Sequence, residues 1–313
     1  MNWSLAAAHT FQTCQRQWFY RHILAKSRST LGDEARLLSR LQSIYAWRGQ
    51  LVDYLLSYRL TPSLNSGRAV TLAQLLTEAR TIFDEQVELG LNHAVREQPP
   101  SSPRTTYPVA AWREVEYGEP ITKETIDCLW HDIDLSIRNL FQMGDLRKVL
   151  REATYRISQR PLQFHLDDIN VKAIPDLIAF FRDHHAAIID WKVNAGANRD
   201  HRLQLALYGL TFTRCHPHAD FAKYLDGPTQ PLPSLTEVQL LSGEIRSYEL
   251  DQTDFDRAEA YIAESATEMS LALGNQRDGE PRPEDFEVTR FPGACERCQF
   301  RKICWEGPRD GMA

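Results

Sequence analysis

Two dense apolar runs, 171–181 and 186–193, are separated only by Arg182-Asp183-His184-His185, and this feature constrains the fold most. Short apolar runs bounded by a polar turn read as adjacent strands of a hairpin, largely buried. Each run nevertheless carries an acid: Ile174-Pro175-Asp176-Leu177-Ile178 in the first, Ile188-Ile189-Asp190-Trp191-Lys192 in the second. Side chains alternate along a strand, so Asp190 and Lys192 share a face. The hairpin brings two carboxylates and an ammonium to one place. Buried charges are costly unless they are paired or bound to a metal. Asp176, Asp190, the backbone carbonyl of Trp191 and water make an all-oxygen site suited to Mg²⁺ or Mn²⁺. Such a cation acidifies a bound water and offsets charge on a phosphate, and Lys192 can hold the nucleophile beside it. Taken alone, Asp-x-Lys also reads as a strand-end salt bridge.

The hairpin sits in a chain of alternating character. Residues 33–60 place Leu37, Leu41, Ile44, Leu51 and Leu55 on a helical stripe, interrupted by Gly49. Thr71-x-x-Gln74 reads as a capping box opening a helix to about Arg96. The proline-rich stretch 98–108 reads as a loop, and 122–143 as a further helix. Alternation over 152–159 marks a strand, 200–214 a helix, and 221–225, 237–241 and 245–250 further strands. A long helix over 253–273 and a polar connector over 274–287 lead to the C-terminal cysteines. The expected fold is mixed α/β, with a helical insertion over 67–122.

With 313 residues, the core is ample without staples. The first residues, Met1 to His9, lack the basic start and long apolar stretch of an export signal. No apolar run reaches the roughly 18 residues that span a bilayer. The expectation is a cytoplasmic protein with no membrane association and with reduced thiols. The net charge of −6 argues against simple coating of nucleic acid. Local fields differ from the total: six basic residues face two acids over 14–40, and four face one over 290–302.

Twelve residues beyond Lys192, Gln204 and Tyr208 stand four apart and share a helix face. They could touch substrate beside a metal, or simply mark a helix with a snorkelling tyrosine. Pro-Asp, then Asp-x-Lys, then Gln-x3-Tyr resembles the PD-(D/E)XK nuclease superfamily. Within it, the pattern is similar to the branch with RecB, AddB and the CRISPR-associated adaptation exonucleases. The resemblance runs from Thr10 to Trp305 and is thinnest over 67–122. It implies a restriction-endonuclease-like core, a mixed central sheet flanked by helices, forming a single nuclease domain over 1–313. It also implies that Asp176 and Asp190 bind metal, that Lys192 is catalytic, and that Gln204 and Tyr208 assist. The branch has a Gly followed four residues later by a metal-binding His; here Gly49 is followed by Asp53, itself a good ligand for a hard cation. Glu152 is a weaker candidate for an auxiliary carboxylate.

Six cysteines are present. Cys128 and Cys215 suit ordinary packing, whereas Cys295-x2-Cys298-x5-Cys304 has the clustering of a metal site. It lacks a fourth ligand, and Cys14 is the natural one. The same branch joins an N-terminal cysteine to such a C-terminal trio around a [4Fe–4S] cluster, although its usual proline after the first cysteine is here Gln15. On spacing alone zinc fits equally well. A clasp between segments so far apart offsets much chain entropy.

The function implied is metal-dependent hydrolysis of DNA, with an exonuclease acting on single strands or ends as the expectation. Arg16, Arg21, Arg297 and Arg301 would attract phosphate, while Trp18, Phe19 and Tyr20 suit core packing better than base stacking. The alternative is an idle nuclease-fold subunit that binds DNA or a partner, an option to which Asp53 in place of His gives weight. A helicase or defence-system protein would then be the partner. A zinc-stabilised interaction module is a further rival.

Overall fold

The computed structural model describes residues 1–98, 107–193, 201–216, 218, 221, 232–274 and 281–305. Helices fill the first half: α1 (Leu5–Thr13), α2 (Gln15–His22), α3 (Thr30–Leu38), α4 (Ile44–Leu55), α5 (Thr61–Asn65), α6 (Leu72–Asn92), α7 (Arg113–Glu116), α8 (Lys123–Gln142) and α9 (Gly144–Glu152). Strand β1 (Asn2–Trp3) precedes them. The strands β2 (Tyr155–Ser158), β3 (Leu162–Leu166), β4 (Ile169–Ala173), β5 (Leu177–Phe180) and β6 (Ala187–Lys192) follow. Then come α10 (Arg202–Arg214), β7 (Ser234–Gln239), β8 (Glu244–Tyr248), α11 (Gln252–Gly274), α12 (Pro292–Glu296) and α13 (Arg301–Trp305). Among the described residues no helix is long and apolar enough to cross a membrane.

The central sheet has the order β2-β5-β6-β7-β8 and is mixed: β6 and β7 run parallel while the other neighbours run antiparallel. A smaller sheet pairs β1, β4 and β3. Alternation along β6 divides the core. Ile189 and Trp191 face a helical layer built from α4, α6, α8 and α9. Ile188 faces Leu205, Tyr208 and Phe212 of α10 on the other side. Asp190 and Lys192 share the parity of Ile188 and therefore look toward α10. This is the mixed α/β architecture expected from the alternating patterns.

The capping box is present, with the Gln74 N–H donating to Thr71 Oγ1 (3.2 Å) and the Thr71 N–H to Gln74 Oε1 (2.9 Å). The helix it opens packs against α4 and α8, filling the same core as the sheet. Three expectations need correction. The stripe over 33–60 is not one helix. Gln42 donates its N–H to the Ala111 carbonyl (3.0 Å) and accepts from the Arg113 N–H (2.8 Å), so its backbone is committed elsewhere. Ser43 then caps a new helix. The run 171–181 is not one strand, because Pro175 lies between β4 and β5, which belong to different sheets. Residue Glu152 ends helix α9 rather than opening a strand, and lies exposed 4.0 Å from Lys148, so it supplies no auxiliary carboxylate. Most of the loop expected over 98–108, all but the first residue of the strand over 221–225 and part of the connector over 274–287 lie outside the described residues.

Candidate active site

The site lies where β5 begins and β6 ends. The antiparallel ladder pairs Leu177 with Ile189, so one step beyond it Asp176 stands opposite Asp190. The Trp191 N–H donates to Asp176 Oδ2 (2.9 Å), fixing that carboxylate across the strand gap. Lys192 Nζ lies 2.5 Å from Asp190 Oδ2, which is otherwise buried without an aligned hydrogen-bond donor. Oδ2 is thus electrostatically matched, yet a lone pair remains unused. Asp190 is only 1% exposed.

Helix α10 supplies the next group. Gln204 Oε1 accepts from Lys192 Nζ (3.1 Å), and its Nε2 donates to Asp190 Oδ1 (3.1 Å) and to the Tyr208 hydroxyl (2.7 Å). The hydroxyl itself lies 3.4 Å from Asp190 Oδ1. Lysine, glutamine, tyrosine and aspartate thus form one network. Its orientation follows from period two on β6 and the i, i+4 spacing on α10.

Asp53 arrives from α4. The helix widens into a π turn (Leu56–Leu60) directly after it, a feature often found at functional sites. Asp53 Oδ1 accepts from Ser57 Oγ (3.3 Å) and from Gln159 Nε2 (3.0 Å). The same Gln159 nitrogen lies 3.0 Å from Asp176 Oδ1, so one carboxamide bridges the two acids. Nearby, Arg48 ties α4 to the Val193 carbonyl just past Lys192 and to Asp132.

Burial dominates the electrostatics. It pushes the Asp53 carboxyl up to about 6, helped by the charge of Asp190 and opposed by the bonds from Gln159 and Ser57. It raises Asp176 well above the usual carboxylate range, with Asp190 and Asp53 adding to the rise. Asp190 is raised too, first by burial, although Lys192 works against the shift. Three acids that resist joint ionisation form a site whose charged state calls for a cation. Among the described residues no three His, Cys, Asp or Glu side chains are drawn together closely enough to hold a metal ion as they stand. The donor set nonetheless suits a hard cation: three carboxylates, one with an unused buried lone pair.

A model of the PD-(D/E)XK nuclease superfamily matches residues 2–305. The chain belongs to this superfamily. Membership brings metal-dependent nuclease chemistry and nucleic acid as substrate. No curated protein matches the chain significantly. Among solved structures it is similar to SSO0001, with 17% identity over 73% of this chain and 96% of that one, at a TM-score of 0.30. It is also similar to protein VC1899 from Vibrio cholerae, with 15% identity over 74% and 57%, at a TM-score of 0.21. Overlap that loose carries no residue roles across.

Several neighbours of this candidate site left no sequence signal. Gln159 sits just past a strand end, and only its partners reveal it. Glu237 pairs in register with Asp190, fully buried, and accepts from Gln239 (2.6 Å) and Tyr248 (3.2 Å). His201, at the start of α10, has a buried Nε2 without a partner. It lines a cleft of about 960 Å³ whose walls include Gln204, Tyr208, Lys172 and the start of α1.

The four cysteines named from the sequence line a second cavity, of about 240 Å³. Cys14 separates α1 from α2, and its Sγ accepts the Gln17 N–H (3.4 Å); Cys298 Sγ accepts the Phe300 N–H (3.4 Å). Backbone donors of this kind tune thiolates that bind metal. Burial, with the neighbouring thiols adding, pushes Cys298 up to about 12. All four thiols line this one cavity, but as they stand no three of them are close enough together to hold a metal ion. The arginines expected near it are partly committed: Arg16 donates to the Phe286 carbonyl (3.3 Å), and Arg301 lies 4.2 Å over the Tyr117 ring. Arg21 and Arg297 remain exposed. Trp18, Phe19 and Tyr20 are each at most 2% exposed, so they pack the core and offer no stacking platform.

Proposed function

We propose that this chain is a Mg²⁺- or Mn²⁺-dependent deoxyribonuclease, an exonuclease acting on single strands or ends. It falls in the RecB, AddB and CRISPR-adaptation branch of its superfamily, as one nuclease domain over 1–313 with the 67–122 segment as an elaboration. The observation that supports the reading is the meeting of Asp53, Asp176 and Asp190 with Lys192 in one buried network.

In this reading Asp53, Asp176, Asp190 and the Trp191 carbonyl hold the cation. When bound, it acidifies a water and neutralises charge on the scissile phosphate. Lys192 donates to a phosphate oxygen or the attacking water, held in place by Asp190 and Gln204. Gln204 and Tyr208 occupy Asp190 Oδ1, which turns Oδ2 toward the reacting atoms. Because these groups are largely buried, their electrostatic effect on a developing charge exceeds what it would be in water.

We assign Cys14, Cys295, Cys298 and Cys304 to a [4Fe–4S] cluster that clasps the two ends of the chain. The same reading places the protein in the cytoplasm, where thiols stay reduced. The net charge of −6 supports delivery of DNA by a helicase or a defence-system protein.

Purified protein with end-labelled single-stranded DNA and Mn²⁺ tests the activity. The expected result is progressive shortening that stops in Asp190→Ala and Lys192→Ala; equal product from these variants would defeat the proposal. Brown protein with absorbance near roughly 400 nm supports iron–sulfur, and colourless protein holding zinc rejects it.

A further inference from the structure

Gln159 follows β2 with φ of 52°, a left-handed conformation that side-chain-bearing residues adopt only where their surroundings fix them. Its backbone N–H donates to the Asp176 carbonyl (3.1 Å). Its Nε2 lies 3.0 Å from both Asp53 Oδ1 and Asp176 Oδ1. Both contacts run from Nε2, so the amide turns its NH₂ toward the two carboxyl groups and its oxygen away. One neutral group thereby links two acids that would otherwise repel each other.

Asp176 Oδ2 is engaged by the Trp191 N–H (2.9 Å), and Asp190 Oδ1 by Gln204 (3.1 Å). Each Asp176 oxygen keeps a second lone pair beside its one donor, so the position of the Gln159 amide, rather than any shortage of acceptors, decides what it excludes. Gln159 Nε2 stands between the Oδ1 atoms of Asp53 and Asp176, 3.0 Å from each, in the space a cation bridging them would take, so the two compete for that space.

We propose that Gln159 is a placeholder for the divalent cation: its carboxamide holds Asp53 and Asp176 together in the metal-free protein and gives way when the ion enters. The inference rests on the reading of those acids as cation ligands. It assigns Gln159 to control of metal affinity and metal-free stability, outside the ligand set. If Gln159 instead turned its oxygen onto the ion as a ligand, its removal would have the opposite effect on affinity.

The test is calorimetric titration with Mn²⁺ at pH 8, with thermal unfolding in chelator, on full-length wild type, Gln159→Met and Gln159→Asn. Methionine keeps the bulk and loses both donors. Asparagine is too short to span both acids and guards against loss of folding. The expected result is a lower melting temperature in chelator and Mn²⁺ binding tightened by about tenfold in Gln159→Met, as two charge-assisted hydrogen bonds no longer compete. Asparagine should shift both in the same direction by less. Weakened Mn²⁺ binding, or no change in affinity, would overturn the inference. Wild type that binds no Mn²⁺ would remove the metal reading itself, a separate failure seen in the first titration.

Discussion

Replacing Asp53 with asparagine removes a charge while keeping the acceptor that Gln159 and Ser57 use. The folded-state carboxyl titrates at about 6 against 3.8 for the ordinary value, chiefly through burial. A raised acid holds its proton in the folded state after the unfolded chain has lost it. Its contribution is therefore fully present below about pH 4 and is lost as pH rises through 6. A shift of about 2 units corresponds to roughly 3 kcal/mol. The substituted amide has no proton to lose, so in chelator at pH 8 the variant should be the more stable protein by up to that amount. At about 2 °C per kcal/mol for a chain this long, the melting temperature rises by roughly 6 °C. The gap should close toward pH 4. Urea unfolding of both proteins in chelator from pH 4 to 8 checks it, and the variant should lose any stabilisation by Mn²⁺. A gap that stays constant with pH, or a variant less stable at pH 8, would refute the argument that burial strains this acid.

Lys192→Ala should cut nuclease activity by about 10²–10³-fold and destabilise the fold by about 3–5 kcal/mol, because Asp190 keeps its burial and loses its counter-charge; urea titration and the DNA assay read the two effects separately. Tyr208→Phe removes the hydroxyl bound by Gln204 and should cost about 1–2 kcal/mol, with activity reduced by a smaller factor than in the lysine variant. Cys298→Ser should lower the metal content and the melting temperature together, checked by elemental analysis and calorimetry; unchanged metal would detach Cys298 from the clasp.

The grouping of Asp176, Asp190 and Lys192 was legible because period two fixes which strand residues share a face, and a short turn fixes which strands meet. Gln204 and Tyr208 were legible for the equivalent helical reason. The helix boundary within 33–60 was hidden, because the break comes from a partner some seventy residues away at Ala111 and Arg113 rather than from any local breaker. The split at Pro175 was masked by continuous apolarity on both sides of it. Gln159, His201 and Glu237 escaped because a polar residue announces itself only through what surrounds it. Glu152 illustrates the converse: alternation in the sequence extended past the true start of β2, and an exposed helix end looked like a strand.

The central claim is that Asp53, Asp176 and Asp190 enclose one divalent ion beside Lys192. Anomalous diffraction at the manganese edge, from crystals grown with Mn²⁺, tests it directly. The account predicts a single strong peak about 2.1 Å from oxygens of these carboxylates, with the Lys192 ammonium alongside. Well-ordered crystals with no manganese among the three acids, or with the ion bound elsewhere, would contradict it.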